Sequence, residues 1–405
     1  MALRLPGFLS AFGYRNYRLL WTGAFLSSIG TWTQDVALSW LIHVRLGDPF
    51  YLGLRAFTSD APLIAFMLLG GAVADRVDRR RVLLASNGLQ MVLAATLLAL
   101  YLSGRLGIGA ILAVAFLTGL TQSQSAPTYQ AVLTSLVPPR EIPKAVALNS
   151  LQFNLSRFIG PAVAGLLLAR GGTDVCLAVN VVSFVAVIVA VARIDLPPGA
   201  GGAPKETLAS SLKAGFAQMR GSPLLSLLTA LGAAGSFLTF PLITYLPVIA
   251  GDVLGTGAAG YSLLLSSFGG GAIGGALFTA HRGQVPGRGR ALLVAFLAYG
   301  LAALGAVLSS RQAIEMALLF VAGWALVSAF STLNSLVQEN APDAFRGRIL
   351  SIYGLAFRGG MPLGSLLAGV AVRPLGAPAV IGAFSVVLVL LAGGMFARSE
   401  RLRAL

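Results

Sequence analysis

Five ionisable residues stand inside otherwise apolar runs of this chain: Asp35, Arg55, Asp60, Arg157 and Arg358. An unpaired charge at the centre of a bilayer costs about 2.5–3.5 kcal/mol on insertion scales, so each asks for a partner or a water-filled cavity. A partly buried carboxyl exchanges protons near neutral pH, which is the chemistry Asp35 and Asp60 offer, with Asp35 as the leading proton site. At about 1.5 Å per residue both lie roughly 22–25 Å above the cytoplasmic ends of adjacent helices. The alternatives are that Asp60 pairs with Arg55, an imperfect helical neighbour at five residues, or that Asp35 caps an outer water-filled vestibule. Arg157 and Arg358 sit near the midplane, about 15 Å from the cytoplasmic side. They either contact an anionic solute or brace helices through backbone carbonyls and Asn154, and bracing is the preferred reading.

Other chemistry is sparse. Cys176 is the only cysteine, and His43 and His281 fall at helix ends, so neither a disulfide framework nor a metal site is expected. No nucleophile–base cluster and no phosphate-binding loop is present in the sequence, which argues against an enzyme, an ATP-driven pump or any bound cofactor. Polar side chains recur at helical spacing instead. Ser28, Thr31, Asp35 and Ser39 form one stripe, Thr118, Gln122, Ser125 and Tyr129 a second, and Ser328, Ser331 and Ser335 a third. These should face a cavity, whereas Trp32 and Trp324 read as packing or interface anchors.

The elements that must position these residues are membrane helices. Hydrophobic residues make up 56% of the 405 and charged residues 11%, against roughly 25% charged in a soluble domain. Runs of about 20 apolar residues, the length that crosses a bilayer, recur twelve times. They cover approximately 19–42, 51–74, 82–102, 107–134, 147–169, 174–194, 223–249, 258–281, 290–310, 313–338, 349–372 and 376–396. With the N-terminus inside, twenty-one basic residues fall on the cytoplasmic side and five outside, Arg45, Arg105, Arg170, Arg311 and Arg373. The positive-inside rule then places both termini in the cytoplasm. The net charge of +15 thus records topology and not a nucleic-acid surface. The first apolar run is too long for a signal peptide, and a multi-pass protein of the bacterial inner membrane is expected.

The chain also repeats itself. Ser135-Leu136-Val137 returns as Ser335-Leu336-Val337, and Arg157 and Pro161 return as Arg358 and Pro362. The expected organisation is a six-helix bundle over 1–194, a polar cytoplasmic loop over 195–220 and a second six-helix bundle over 221–405. Parallel repeats of this kind place the solute site between halves near mid-membrane.

The densest polar motif runs from Gly71 through Asp75 and Arg76 to Asp78, Arg79, Arg80 and Arg81, where the second helix leaves the membrane. Asp75 can accept from the amides of a neighbouring helix start and the arginines can pair with carboxylates or phosphates, a cytoplasmic gate. The bland alternative is a solvated basic loop. In this motif the sequence resembles the major facilitator superfamily, with Asp78 where the superfamily has a second glycine. Together with Arg15-Asn16-Tyr17-Arg18-Leu19-Leu20-Trp21 it looks like the branch of enterobactin exporters and macrolide efflux proteins. In the second half the motif has decayed, with Gly275 present and Thr279 at the aspartate position. The fifth helix, with Asn154, Arg157, Gly160, Pro161 and Gly165, is similar to an antiporter-associated motif, although Ala147, Ser156 and Ala164 replace glycines.

The resemblance implies an all-α fold of two pseudo-symmetric six-helix bundles. Helices one, four, seven and ten would line the pathway, which puts Thr31, Gln122, Ser125, Ser331 and Ser335 on the cavity. It further implies a monomer that exports an amphipathic organic solute, of the drug or siderophore class, by alternating access in exchange for protons. Uptake of a small metabolite is the alternative, and a non-transporting receptor or scaffold a remote one. The implied partners are the small-molecule substrate, protons and the lipid bilayer.

Overall fold

A computed structural model describes residues 7–74, 78–196, 216–282, 287–343 and 345–403. Among these, twelve long helices follow in order. They are α1 (Arg15–Leu46), α2 (Phe50–Ala74), α3 (Arg79–Leu102), α4 (Ile108–Ser135), α5 (Ile142–Arg170), α6 (Thr173–Arg193), α7 (Pro223–Val248), α8 (Gly257–Arg282), α9 (Arg288–Leu308), α10 (Gln312–Asn340), α11 (Arg346–Leu375) and α12 (Ala377–Arg398). Ten of the twelve are long and apolar enough to cross a membrane. The other two, α1 and α2, are those that carry Asp35, Arg55 and Asp60. Within hydrocarbon every backbone polar group must be satisfied inside its own segment, which is why apolar runs of this length fold as helices.

Local chemistry sets several helix ends. Asp78 caps α3, its carboxylate accepting from the amides of Arg80 at 2.8 Å and Arg81 at 3.1 Å. That cap explains why an aspartate serves where the superfamily motif has glycine. Ser222 caps α7 through the amide of Leu225, with Pro223 at the first helical position where a missing N–H is harmless. Gly376, at φ +81°, turns α11 into α12 in a single residue, a conformation that favours glycine.

The helices form two compact units. One holds the described residues up to Leu41 and from Thr58 to 196; the other holds Ile42–Phe57 and the described residues from 216 onward. The tip of the α1–α2 hairpin therefore clusters with the second half of the chain.

In the first unit α3 packs on α4 and α6, and in the second α9 packs on α10 and α12. Further pairings repeat at the same interval of six helices, and each depends on glycines that admit a neighbouring backbone. A side chain at Gly119 of α4 would overlap the Ser59 carbonyl of α2, and one at Gly271 of α8 the Phe320 carbonyl of α10. Gly160 of α5 receives Trp32 of α1, as Gly364 of α11 receives the backbone of Phe237 of α7. The sequence repeat thus reappears as repeated helix pairs, and the fold is all-α with two related bundles.

The segment Arg15–Trp21 has a structural task. Tyr17, fully buried, donates to the Ala145 carbonyl at 2.9 Å, and Trp21, one turn on, donates to the Leu148 carbonyl at 3.0 Å. These bonds tie the start of α1 to the start of α5, and Leu20, Leu83, Leu133 and Leu148 close the core around them.

Candidate functional site

In the first unit the polar residues of α1 meet partners on α5 and α6. Ser28 accepts from Gln152 Nε2 at 3.0 Å. Thr31 Oγ1 bonds the Ser27 carbonyl at 3.0 Å and lies 3.5 Å from Asn180 Oδ1 of α6, while Asn180 Nδ2 donates to Gln34 Oε1 at 2.9 Å. Asp35 follows directly on this network and is half-buried, as are Asp60 on α2 and Arg55 in the segment grouped with the second unit. All three make polar, ring or electrostatic contacts.

Gly160 and Arg157 act together. Because Gly160 lacks a side chain, Trp32 seats against α5, and Arg157, three residues earlier, brings its guanidinium 5.5 Å from the Trp32 ring centre. Such a cation–π contact strengthens where water is excluded. Phe153 meets the same indole edge-on, with ring centres 6.5 Å apart. Asn154 donates to the Ser150 carbonyl of its own helix at 2.8 Å. Pro161 and Gly165 are buried beside Gly160. Pro161 removes the N–H that would bond the Arg157 carbonyl, and Pro362 does the same for Arg358.

Arg358 differs from its repeat partner. It is exposed midway along α11, and among the described residues no hydrogen bond, ion pair or ring contact engages it. The remaining expected cavity residues, Gln122 and Ser125 on α4 and Ser331 and Ser335 on α10, are half-buried, with Ser335 Oγ donating to the Ser331 carbonyl at 3.0 Å.

Of the gate motif, Asp75 and Arg76 lie outside the described residues, and Gly71 is in the last turn of α2. Arg79 opens α3. Arg80 donates to the Ala192 carbonyl, so it satisfies the C-terminal end of α6, where a cation is favourable. At the corresponding start of α9, Arg288 donates to both carboxylate oxygens of Glu339 of α10, from Nη1 to Oε1 at 2.7 Å and from Nη2 to Oε2. Sequence reading did not single out that pair, because the two residues are fifty-one positions apart and both sit at helix ends.

Two further features emerge only in three dimensions. Glu315, in the first turn of α10, is fully buried with neither carboxylate oxygen bonded among the described residues. It adds a sixth ionisable residue to the five expected within the apolar runs. Its position near a helix end, beside the polar turn at Arg311, masks it in a hydropathy reading.

The second feature is the hairpin tip. Arg373 Nε lies 2.9 and 3.1 Å from the two Asp48 oxygens, and its guanidinium stacks 4.4 Å from the Phe50 ring. Gly53 lets the same segment pack against Tyr245 and the Ser365 carbonyl, and His43 Nε2 is 3.4 Å from Asp252.

The Arg373 hydrogen bonds, with help from the Phe50 amide, hold the Asp48 carboxyl below its ordinary range. A carboxyl depressed in the folded state contributes stability above its unfolded value of about 3.9 and loses that contribution as pH falls through the folded value. Thermal unfolding should therefore show wild type above Asp48→Asn at neutral pH by under about 1 kcal/mol, since the pair is partly exposed. The gap should close on acidification below about pH 4; a constant gap would show that Asp48 acts by shape alone.

Comparison with known proteins adds the context for this arrangement. Residues 7–405 match the family described as transmembrane secretion effector. The chain is 26% identical to the staphyloferrin A transporter of Staphylococcus aureus, over 86% of this chain and 88% of that protein. It is also 26% identical to the enterobactin exporter of Escherichia coli, over 87% and 84%. Among solved structures, a D-xylose–proton symporter superposes with a TM-score of 0.75 at 15% identity, covering 98% of this chain and all of the other.

Proposed function

Because the chain belongs to the transmembrane secretion effector family of major facilitator transporters, we propose that it exports a small amphipathic organic compound, of the drug or siderophore class, in exchange for protons. The protein is a multi-pass inner-membrane transporter, and its proposed form is a monomer with both termini cytoplasmic. The observation that carries the coupling is the pair of half-buried carboxylates, Asp35 on α1 and Asp60 on α2, within the first unit. Asp35 is the proposed principal proton site, since it adjoins the Gln34–Asn180 polar network. Protonation neutralises a carboxylate that is costly to carry through an apolar environment, and release restores its charge. Alternating access lets those two states meet opposite sides of the membrane. Gly71, Asp75, Arg76, Arg79 and Arg80 are proposed to form the cytoplasmic gate.

The test is transport in proteoliposomes under an imposed pH gradient, with a panel of dyes, antibiotics and catecholate siderophores. Gradient-driven efflux in wild type, lost in Asp35→Asn while the variant unfolds at the wild-type temperature, is the expected result. Flux indifferent to the gradient would sink the antiport reading, and flux into the proton-rich compartment's opposite side together with protons would establish uptake instead.

A further inference from the structure

The two arginines related by the repeat are in unequal surroundings. On α5, Ser150, Phe153, Arg157 and Pro161 occupy the positions that Ser351, Gly354, Arg358 and Pro362 occupy on α11. The first arginine is covered by Trp32 and flanked by Phe153. The second has glycine where Phe153 would stand, with nothing beyond the backbone of α11 itself within 4 Å of the place a Cβ would take at Gly354, and nothing among the described residues engages its guanidinium.

The direction in which Arg358 projects follows from helical geometry. At about 100° per residue, Ser351 lies about 20° and Gly354 about 40° from Arg358 around α11. The exposed apolar residues Leu363, Leu367 and Val370, each more than half exposed, lie about 120–180° away. The leucine and valine side meets lipid; Arg358 is on the other side, in line with an exposed serine and an open glycine. A guanidinium in that position faces water or a ligand.

On the adjoining face of α11, about 100° around from Arg358 at Phe357, stands a wall of rings. Phe357 of α11 lies 4.7 Å from Phe330 of α10 and 6.2 Å from Phe240 of α7, and stacks on Tyr353 at 6.3 Å. Phe240, Phe330 and Phe357 are only half-buried, so part of each ring remains exposed. We propose that Arg358 and this aromatic wall form a subsite of the second unit for an organic anion: an oxyanion group, such as a carboxylate, on a planar aromatic body. A guanidinium binds a carboxylate through two parallel hydrogen bonds, and aromatic faces accept a planar ring in offset or edge-on contact. Uncovering Arg358 while covering Arg157 assigns the two halves different tasks, one of support and one of recognition.

This inference rests on the export reading for its context, yet binding tests it without any gradient. The full chain in phosphatidylcholine nanodiscs is titrated with fluorescein, an anionic xanthene, and rhodamine 123, a cationic one, by fluorescence anisotropy. Fluorescein should bind in preference to rhodamine 123, Arg358→Gln should weaken fluorescein about tenfold or more, and Arg358→Lys, which keeps the charge but loses the two-bond fork, should show an intermediate affinity. Gly354→Phe, which restores the ring that flanks the first-half arginine with the charge intact, should also exclude fluorescein. Unfolding temperatures of the Gln and Lys variants establish that both are folded.

Equal fluorescein affinity in Arg358→Gln, preference for rhodamine 123, or no binding of either dye overturns the proposal. So does displacement of fluorescein by phosphatidylglycerol in the disc, which would identify a lipid headgroup as the occupant. Loss of gradient-driven export with anion binding intact would sink the antiport reading alone. The reverse pattern would sink the anion subsite alone.

Discussion

Gly271→Ala is expected to destabilise the second unit, whereas Gly274→Ala, three residues along the same helix, is expected to stabilise it slightly. The two glycines differ in what an added methyl meets. At Gly271 it overlaps the backbone carbonyl of Phe320, while at Gly274 the nearest atom is Trp324 Cδ1 at 3.6 Å, an ordinary contact. A backbone carbonyl cannot rotate away, so α8 and α10 must separate. The strain spreads to Gly323 against Phe268 and Gly275 against Trp324, which use the same close approach. Overpacking of this kind costs about 1–3 kcal/mol, and larger residues at position 271 should prevent recovery of folded protein. At Gly274 the helix gains about 0.5–1 kcal/mol from the lost flexibility of glycine. Thermal unfolding of the purified protein in detergent reads both signs. Equal shifts would mean that α8 and α10 are not held together by this seam.

How far these features are legible in the sequence depends on the kind of signal each leaves. The twelve apolar runs mark the twelve helices, but the helices overrun them. α1 begins at Arg15, where hydropathy begins near 19, and α5 begins at Ile142, where hydropathy begins near 147. Hydropathy registers the part that sits in hydrocarbon, whereas the extra turns are anchored by specific bonds such as Tyr17 to Ala145. The repeat of Arg157 and Pro161 is legible because it is a spacing. The cover of Trp32 over Arg157 is not, because it joins residues 125 positions apart through the gap left by Gly160. The grouping of Ile42–Phe57 with the second half leaves no periodic trace either. The contacts that tie it there, Asp48 and Phe50 with Arg373, His43 with Asp252 and the close approach at Gly53, have no one-dimensional signature. Asp78 was visible only as a departure from a motif, and its capping bonds supply the reason for the departure.

Glu315→Met is expected to raise the stability of the protein, an uncommon direction for a substitution at a fully buried site. Glu315 shares a face of α10 with Leu319 and Ala322, both without exposure, and one turn before it the Gln312 amide lies 3.4 Å from where a Cβ would stand at Gly260 of α8. The carboxyl therefore occupies a position that helix packing would give to an apolar side chain. A buried polar group without a partner costs about 1–3 kcal/mol, and neither Glu315 oxygen has one among the described residues. Methionine fills a similar volume with an adaptable apolar chain, so most of that cost should be recovered as stability. Glu315→Gln is the control, since its amide still needs partners and should bring no comparable gain. Thermal unfolding at neutral pH reads the difference, and a loss in Glu315→Met would show that the acid is satisfied within the working protein. Proteins lie just above the stability they need, and groups that lower stability persist where function requires them. If Glu315→Met is more stable yet loses gradient-driven efflux, Glu315 belongs with Asp35 among the groups that carry charge through the transport cycle; unchanged efflux marks it as a local cost of the fold.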